Sequence, residues 1–228
     1  MGTKIGLIQI DGKLPNLALM KLSTFHKKHG DDVTLIDLSS NEFDRIYGSK
    51  IFMGGSGYDI KQELPKDIEC QIPDYETFNL DYSIGFTSRG CIRDCGFCIV
   101  KEKEGEFRDV DMSFIKHHKV LLIDNNFLAS KQWKEKLQYF IDNKIKVCFN
   151  QGLDIRLITD DKAEMLSKVL YYDLKFQHRR LYFAFDDMKY EDAVISGIKK
   201  LTDKGIKPDH LMFYVLCGFN TTFEPKLN

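Results

Sequence analysis

A chain of 228 residues can fold as one large domain or as one domain with a small appendage, and its 43% hydrophobic and 29% charged residues are typical of a globular protein. Its 33 Lys and Arg residues nearly balance its 34 Asp and Glu residues, so no overall positive charge indicates nucleic acid as a partner. No apolar stretch approaches the ~20 residues of a membrane-spanning helix, and the first residues lack a signal-peptide pattern. We therefore expect a cytoplasmic protein with no membrane partner.

The N-terminal residues carry strand, helix and strand patterns in turn. An apolar run at Lys4–Ile10 predicts a strand, and Asn16 is positioned to cap a helix over Leu17–Lys28 that ends at Gly30. Val33–Leu38 predicts the next strand. This βαβ order predicts a Rossmann-like region.

A glycine cluster, Gly54–Gly57, follows a short predicted strand at Lys50–Met53. It lacks the spacings of phosphate-binding loops and the helix that follows such loops, so we interpret it as a tight turn. The next stretch, Glu63–Asn79, contains Pro65 and Pro73 and has little periodicity, which predicts a linker.

Strand and helix patterns alternate through the rest of the chain. Five strands are predicted at Tyr82–Phe86, Val120–Asp124, Lys146–Asn150, Arg180–Phe185 and His210–Leu216. Helices are predicted at Lys131–Asn143, from Asp160 or Asp161 through Leu170, and at Glu191–Lys204, with a solvated loop at Lys101–Asp111. Continuous apolar strands joined by such helices predict a parallel sheet. The periodicity fits a barrel and an open doubly wound sheet equally, so that choice stays open at this point.

Three of the six cysteines are clustered directly after the first of these strands. Cys91, Cys95 and Cys98 have the spacing C-x3-C-x2-C, which in a reducing compartment indicates a metal site rather than disulfides. Thiolates favour zinc or an iron–sulfur cluster over hard cations. Three protein ligands leave one coordination position for a substrate or cofactor, whereas structural zinc sites usually have four. A zinc knuckle and three unrelated buried thiols are the alternatives.

The other cysteines do not share a predicted site. Cys148 and Cys217 lie in apolar runs, where a free cysteine usually packs as a small hydrophobic residue. Cys70 lies in a polar segment that gives no indication of a role.

Polar residues follow the predicted strands. The cysteine loop follows the first strand, and the next four are followed by Asp124–Asn126, Asn150–Arg156, Asp186–Asp187 and Gly218–Thr221. The carboxyl ends of parallel strands meet at one edge, where α/β barrels carry their working residues. Any one of these residues is as well explained as a helix cap, but their repetition predicts one site.

The cysteine spacing, with aromatic Phe97 before the last cysteine and a strand before the loop, resembles the radical S-adenosylmethionine (radical SAM) enzymes. The resemblance implies that Cys91, Cys95 and Cys98 hold three irons of a [4Fe–4S] cluster and that SAM chelates the fourth. It implies reductive cleavage of SAM to a 5′-deoxyadenosyl radical that acts on a substrate the sequence does not identify. It further implies an electron donor such as flavodoxin or ferredoxin, and it favours a partial (βα) TIM-type barrel.

The resemblance also implies contacts with SAM. Asp124, Asn125 and Asn126 stand where the family often has a Gly-Gly-Glu segment that binds the amino group of SAM. Phe97 would lie along the adenine, and the backbone near Gly218 would contact it.

Further contacts are implied after the third strand. Gln151, Asp154 and Arg156 are candidates for binding the ribose and carboxylate of SAM. Arg156 suits the carboxylate because a guanidinium group can donate two parallel hydrogen bonds to it.

The N-terminal region is similar to the cobalamin-binding-like domain in one branch of the family, but the D-x-H-x-x-G signature is absent. No cobalamin is therefore expected, and His26 and His29 are predicted to be surface residues. The predicted organisation is a Rossmann-like region at 1–62, a linker at 63–80 and a partial barrel at 81–228.

The family's barrel has six βα units, and this sequence provides five strands. We therefore expect an open substrate side, another chain that completes the barrel, or a shortened relative. A non-catalytic iron–sulfur or zinc-binding module, a truncated remnant of such an enzyme, is the alternative hypothesis.

Overall fold

The computed structural model describes residues 2–37, 42–50 and 62–218. The chain divides into two compact units, Met1–Ile84 and Gly85–Asn228. Helices and parallel sheets occur in both, which confirms the predicted α/β class. In the described ranges no helix is both long and apolar enough to cross a membrane.

The first unit is built on a three-stranded parallel sheet. Its strands are β1 (Lys4–Gln9), β2 (Asp32–Leu35) and β3 (Arg45–Ser49), in the order β2-β1-β3. Helix α1 (Leu17–Lys28) connects β1 to β2, so the predicted βαβ order is confirmed. Strand β3 was not predicted. The strand was predicted at Lys50–Met53 instead, and residues 51–53 lie outside the described residues, as does the glycine cluster.

Helix α1 begins as its sequence predicts. The Oδ1 atom of Asn16 accepts hydrogen bonds from the backbone nitrogens of Ala18 (3.0 Å) and Leu19 (3.1 Å). These bonds satisfy two of the amide groups that a helix start leaves without partners. The inner side of the helix packs on the sheet around one buried cluster: Ile5, Leu7, Leu19, Leu22 and Tyr47.

The prediction that His26 lies at the surface is wrong. His26 is 7% exposed, and its ring nitrogens lie 2.7 Å from Asp31 Oδ2 and 3.1 Å from the Tyr47 hydroxyl. Both hydrogen-bonding positions of the ring therefore have partners, which is what allows a polar ring to be buried. His29 is exposed, as predicted.

The segment predicted as a linker packs on α1. Asp74 accepts a hydrogen bond from Ser23 Oγ (2.6 Å) and pairs with Lys27 Nζ (2.8 Å). Thr24 Oγ1 donates to the carbonyl oxygen of Ile72 at 2.6 Å.

The second unit contains most of the strands. They are β4 (Ser83–Gly85, whose last residue begins the unit), β5 (Ser88–Arg89), β6 (Arg108–Asp109), β7 (Lys119–Leu122), β8 (Lys146–Phe149), β9 (Leu170–Tyr171), β10 (Leu181–Phe185) and β11 (Leu211–Val215). One sheet has the order β4-β7-β8-β9, with β7, β8 and β9 parallel. A second pairs β10 with β11 in parallel, and β5 pairs with β6 in antiparallel. A parallel bridge from Leu153, in the segment after β8, to Phe183 of β10 links the β4-β7-β8-β9 sheet to the β10-β11 pair.

Helices lie between these strands along the chain. They are α2 (Val100–Glu104), α3 (Trp133–Asp142), α4 (Asp160–Lys168) and α5 (Glu191–Asp203). The predicted inner side of α3 is confirmed, because Leu137 and Phe140 are fully buried, with Trp133 and Ile141 packed beside them. Burial of each such large side chain contributes about 1.5–3 kcal/mol.

Two local predictions in this unit need correction. Lys101–Asp111 has no buried residue, as predicted, but it is not a loop, because it forms most of α2 and all of β6. Helix α4 is capped by Thr159, whose Oγ1 accepts from the backbone nitrogen of Lys162 at 3.3 Å, rather than by Asp160 or Asp161. Those two aspartates instead lie in the first turn of the helix, where their negative charge interacts favourably with the helix dipole.

The two cysteines predicted to be buried differ. Cys148 on β8 is fully buried, and burial raises the pKa of its thiol to about 12. Cys217 is exposed, so that prediction is wrong. It follows β11, whose residues are only half-buried or exposed, and in the described part of the chain β11 pairs on one side only, with β10. An apolar run at a sheet edge therefore does not imply burial.

Candidate metal centre

The three clustered cysteines lie on the loop between β5 and α2. Cys91 and Cys95 are half-buried, Cys98 is exposed, and all three are free thiols. A tight turn joins the last two, because the backbone nitrogen of Cys98 donates to the carbonyl oxygen of Cys95 at 2.9 Å. Burial raises the pKa of the Cys95 thiol; Arg156 opposes that effect, and Cys98 and Cys91 add to it. The thiols are thus close enough for their charges to interact.

The thiols are not gathered into a ligand set. Across the described residues, no three or more His, Cys, Asp or Glu side chains are arranged to hold a metal ion. The donor chemistry nevertheless suits a soft metal, since three free thiols share one short loop. Binding would require the thiol groups to turn towards a common centre.

Asp124, two residues after the end of β7, fixes the start of the cysteine segment, Thr87–Cys98. Its carboxylate accepts hydrogen bonds from the Thr87 backbone nitrogen (3.0 and 3.1 Å), Thr87 Oγ1 (2.8 Å) and Ser88 Oγ (2.6 Å). It is 3% exposed, and burial raises its pKa against the opposing effect of these hydrogen bonds. Asp124 therefore holds Thr87 and Ser88 against the end of β7.

Asn125 reaches the next part of the segment through Glu104. The Oε2 atom of Glu104 accepts from Asn125 Nδ2 (2.9 Å), Gly90 N (2.9 Å) and Arg89 Nε (3.0 Å). One carboxylate oxygen of α2 thus joins the end of β7 to the two residues that precede Cys91.

Asn126 reaches the first cysteine itself. Its Nδ2 lies 3.6 Å from the sulfur of Cys91, and the backbone nitrogen of Arg93 lies 3.4 Å from the same sulfur. Asp124 and Asn126 therefore contact the cysteine segment directly, and Asn125 is linked to it through Glu104. Their predicted contact with the amino group of SAM stays a prediction.

Lys136 of α3 also supports the segment, although the sequence analysis did not identify it. It is 2% exposed, and its Nζ donates to the Thr87 carbonyl oxygen and to Asp109 Oδ1, both at 2.6 Å. Burial tends to raise the pKa of Asp109, but hydrogen bonds from Lys136 and Ser130 hold it below its ordinary value. The sequence carries no signal for this lysine, because lysines on amphipathic helices usually face solvent.

Asp154, after β8, accepts hydrogen bonds from two arginines. Arg156 donates from Nε to Oδ1 (2.6 Å) and from Nη2 to Oδ2 (3.0 Å), and Arg93 donates from Nε to Oδ2 (2.9 Å). Burial opposes ionisation of Asp154, yet these bonds lower its pKa. The Arg156 guanidinium also lies 4.4 Å from the centre of the Tyr190 ring. The carboxylate partner of Arg156 in this structure is therefore Asp154.

Arg93 was missed as a site residue, although it lies between two of the cysteines. Its position in the cysteine segment was a usable signal, but its partner is 61 residues away and was not predictable. Arg93 ties the cysteine loop to the loop after β8.

Asp186, after β10, lies close to the same cluster. Burial raises its pKa; Arg156 opposes this and Asp154 adds to it. The neighbouring Asp187 is exposed and caps a short helical turn, accepting from the Lys189 backbone nitrogen at 3.0 Å.

The remaining predicted site residues that the structure describes are at the surface. Gln151, Phe97 and Gly218 are all exposed, with Phe97 at 40%. Phe219, Asn220 and Thr221 lie outside the described residues. The structure thus brings together the residues after β4, β7, β8 and β10, while the predicted adenine contacts remain untested.

The chain matches no protein-family model, no curated protein and no solved structure.

Proposed function

We propose that this chain is a radical SAM enzyme that holds a [4Fe–4S] cluster through Cys91, Cys95 and Cys98. The observation that carries the proposal is the C-x3-C-x2-C segment, which residues at the ends of β7 and β8 hold in place. Thiolates are the ligands such clusters require, and three of them leave one iron for another ligand. When bound and reduced, the cluster supplies the electron that cleaves SAM.

The strand order supports the finer fold within this proposal, a Rossmann-like first unit and a partial TIM-type barrel. The order β2-β1-β3 with α1 is compatible with the first. For the second, the Leu153–Phe183 bridge continues the sequence of strands from β8 to β10 and β11. Asp124 and Asn126, which contact the cysteine segment, follow β7, and Asp154 follows β8. Proteins with α/β folds place their active residues at such strand ends.

Within the proposal, the chain's own residues position the cluster and SAM. Asp124, Asn125 and Asn126 hold the cysteine segment, and Arg93 links it to Asp154. The Arg93, Asp154 and Arg156 group carries a net positive charge, and Arg156 opposes the burial that raises the pKa of the Cys95 thiol. A positive charge of this kind favours anionic groups of SAM. A cytoplasmic location and an electron donor such as flavodoxin or ferredoxin belong to the same proposal.

Anaerobic reconstitution with iron and sulfide tests the proposal. The wild-type chain should take up about four iron and four sulfide per chain. With dithionite and SAM it should then yield 5′-deoxyadenosine, measured by chromatography. Cys95→Ala should lose the cluster, whereas Cys70→Ala, which removes an exposed thiol outside the segment, should keep it. A wild-type chain that binds no cluster would rule the proposal out.

A second candidate is a non-catalytic iron–sulfur or zinc-binding module. The observation that favours it is the pairing of Arg156 with Asp154, which engages the arginine assigned to the SAM carboxylate. This candidate predicts metal binding without a response to SAM. The electron paramagnetic resonance (EPR) spectrum of the reduced cluster separates the two, because SAM should change the spectrum of the enzyme and leave that of the module unchanged. Zinc in place of iron in the purified protein would also favour the module.

A further inference from the structure

The sulfur of Cys91 has N–H donors from two parts of the chain. The side-chain Nδ2 of Asn126 lies 3.6 Å away and the backbone nitrogen of Arg93 3.4 Å away. Both distances are within the usual range for hydrogen bonds to sulfur. The Arg93 donor belongs to the cysteine loop itself, whereas Asn126 approaches from the end of β7.

Asn126 is held firmly in this position. Asn126 is 2% exposed, and the next residue, Phe127, is 1% exposed. The backbone carbonyl oxygen of Asn126 accepts a hydrogen bond from the Ala129 backbone nitrogen at 3.1 Å, which closes a short helical turn. The side chain therefore has little freedom to leave the sulfur.

The orientation of the Asn126 amide suits a thiolate. Its Oδ1 is buried without a hydrogen-bond partner among the described residues, a loss that typically costs about 1–3 kcal/mol. A thiol carries a proton and could donate to Oδ1 if the amide were turned round. A thiolate bound to metal has no proton and can only accept, so it requires Nδ2 to face the sulfur.

We propose that Asn126 is a positioning residue that donates a hydrogen bond to the Cys91 thiolate and thereby raises the reduction potential of the cluster. This inference rests on the proposed function. Reduction adds negative charge to the cluster and its sulfur ligands. An N–H donor to a ligand sulfur stabilises the reduced form more than the oxidised form.

The test is the midpoint potential of the reconstituted cluster without SAM, followed by EPR in an anaerobic redox titration. Asn126→Leu removes the donor with little change in side-chain volume. At a fixed potential, Asn126→Leu should lower the ratio of reduced to oxidised cluster about tenfold, which is about 59 mV for one electron.

Asn143→Leu is the matched control, because the Nδ2 atom of exposed Asn143 donates to the Tyr139 carbonyl oxygen at the end of α3 and not to a sulfur. Its cluster should have the wild-type potential. Loaded Asn126→Leu protein with an unchanged potential would overturn the inference while leaving the proposed function intact. An equal shift in Asn143→Leu would overturn it too, since the effect would then not depend on the donor to Cys91. A wild-type chain that binds no cluster overturns both.

Discussion

At the scale of single residues, Asp154 is the side chain on which the candidate site most depends. Two guanidinium groups share its carboxylate, and its side chain is 7% exposed. Without that carboxylate, two positive charges would lie side by side in a partly buried position. Removing one member of such a group leaves the others uncompensated, which costs more than the group contributes when intact.

We expect Asp154→Asn to lower the free energy of unfolding of the second unit by about 2 kcal/mol. Urea unfolding followed by fluorescence measures this, because the single tryptophan, Trp133, lies on α3 in that unit. Asp203→Asn is the matched control: it breaks an exposed pair with Lys199 and should cost less than about 0.5 kcal/mol. Equal losses for the two variants would contradict the role assigned to Asp154.

Asp74 gives the first unit a dependence on acid pH. Burial alone would raise its pKa, but hydrogen bonds from Lys27, Ser23 and Thr77 lower the pKa to about 2. Because the folded-state pKa is the lower one, the ionised carboxylate favours folding. Its contribution is complete above the unfolded-state pKa and is lost as the pH falls through the folded-state value. The shift corresponds to about 2 kcal/mol.

Hydrogen exchange of the β1 amides at a series of acid pH values measures this effect in the first unit. Wild-type protection, corrected for intrinsic exchange, should decrease as the pH falls from about 5 towards about 2. Asp74→Asn should flatten that decrease, and Lys27→Met should reduce it by removing one hydrogen-bond donor. A decrease of wild-type size in Asp74→Asn would show that other groups cause it.

At the scale of secondary-structure elements, α5 approaches the site through a glycine. A Cβ atom on Gly197 would lie 2.6 Å from Ile155 Cγ1 and 3.0 Å from the Ile155 backbone oxygen. Ile155 begins the turn Ile155–Leu157, between Asp154 and Arg156. The absence of a side chain at Gly197 thus lets the helix support the residues that hold Arg93.

Gly197→Ala should therefore destabilise the second unit, although alanine favours a helix by about 1 kcal/mol over glycine. Overpacking typically costs about 1–3 kcal/mol, so we expect a net loss of about 1 kcal/mol in urea unfolding followed by Trp133 fluorescence. Ser196→Ala, on the exposed side of α5, should stabilise slightly. Combining Gly197→Ala with Ile155→Ala, which removes Cγ1 and Cδ1, should destabilise by less than the sum of the two single substitutions. A stabilising Gly197→Ala would show that α5 moves away at no cost.

Only some of these elements could be predicted from the sequence. The βαβ order, the Asn16 cap and the inner side of α3 follow from local patterns, and all three were predictable. Helix α2 and strand β6 were not, because their charged residues carry no apolar periodicity. They depend on contacts such as that between Glu104 and Arg89, 15 residues apart.

The candidate site was also only partly predictable from the sequence. The cysteine spacing and the polar strand ends were visible in the sequence, since each is a local pattern. The partners of those residues were not, because Cys91 with Asn126, Thr87 with Asp124 and Arg93 with Asp154 are brought together only by the fold. Buried Lys136 is hidden for the same reason.

For the whole molecule, the reactivity of the six cysteines towards alkylating reagents depends on both the fold and the proposed cluster. Cys70, Cys98 and Cys217 are exposed, Cys91 and Cys95 are half-buried, and Cys148 is fully buried with a raised pKa. Thiolates react with alkylating reagents only when they are accessible and deprotonated. Native protein without metal should therefore be labelled at every cysteine except Cys148, which should react only after unfolding. Cys95 should react slowly, because it is half-buried and burial raises its pKa.

Cluster binding should change this pattern at three positions only. In reconstituted protein, Cys91, Cys95 and Cys98 should be protected from iodoacetamide because metal ligation occupies their sulfurs, while Cys70 and Cys217 should react as before. Peptide mass spectrometry measures each cysteine separately, and a chelator should restore the three reactions. Protection of Cys70 or Cys217 would indicate aggregation instead. Undiminished labelling of the trio in iron-loaded protein would place the metal on other ligands and exclude the cysteine segment as the cluster site.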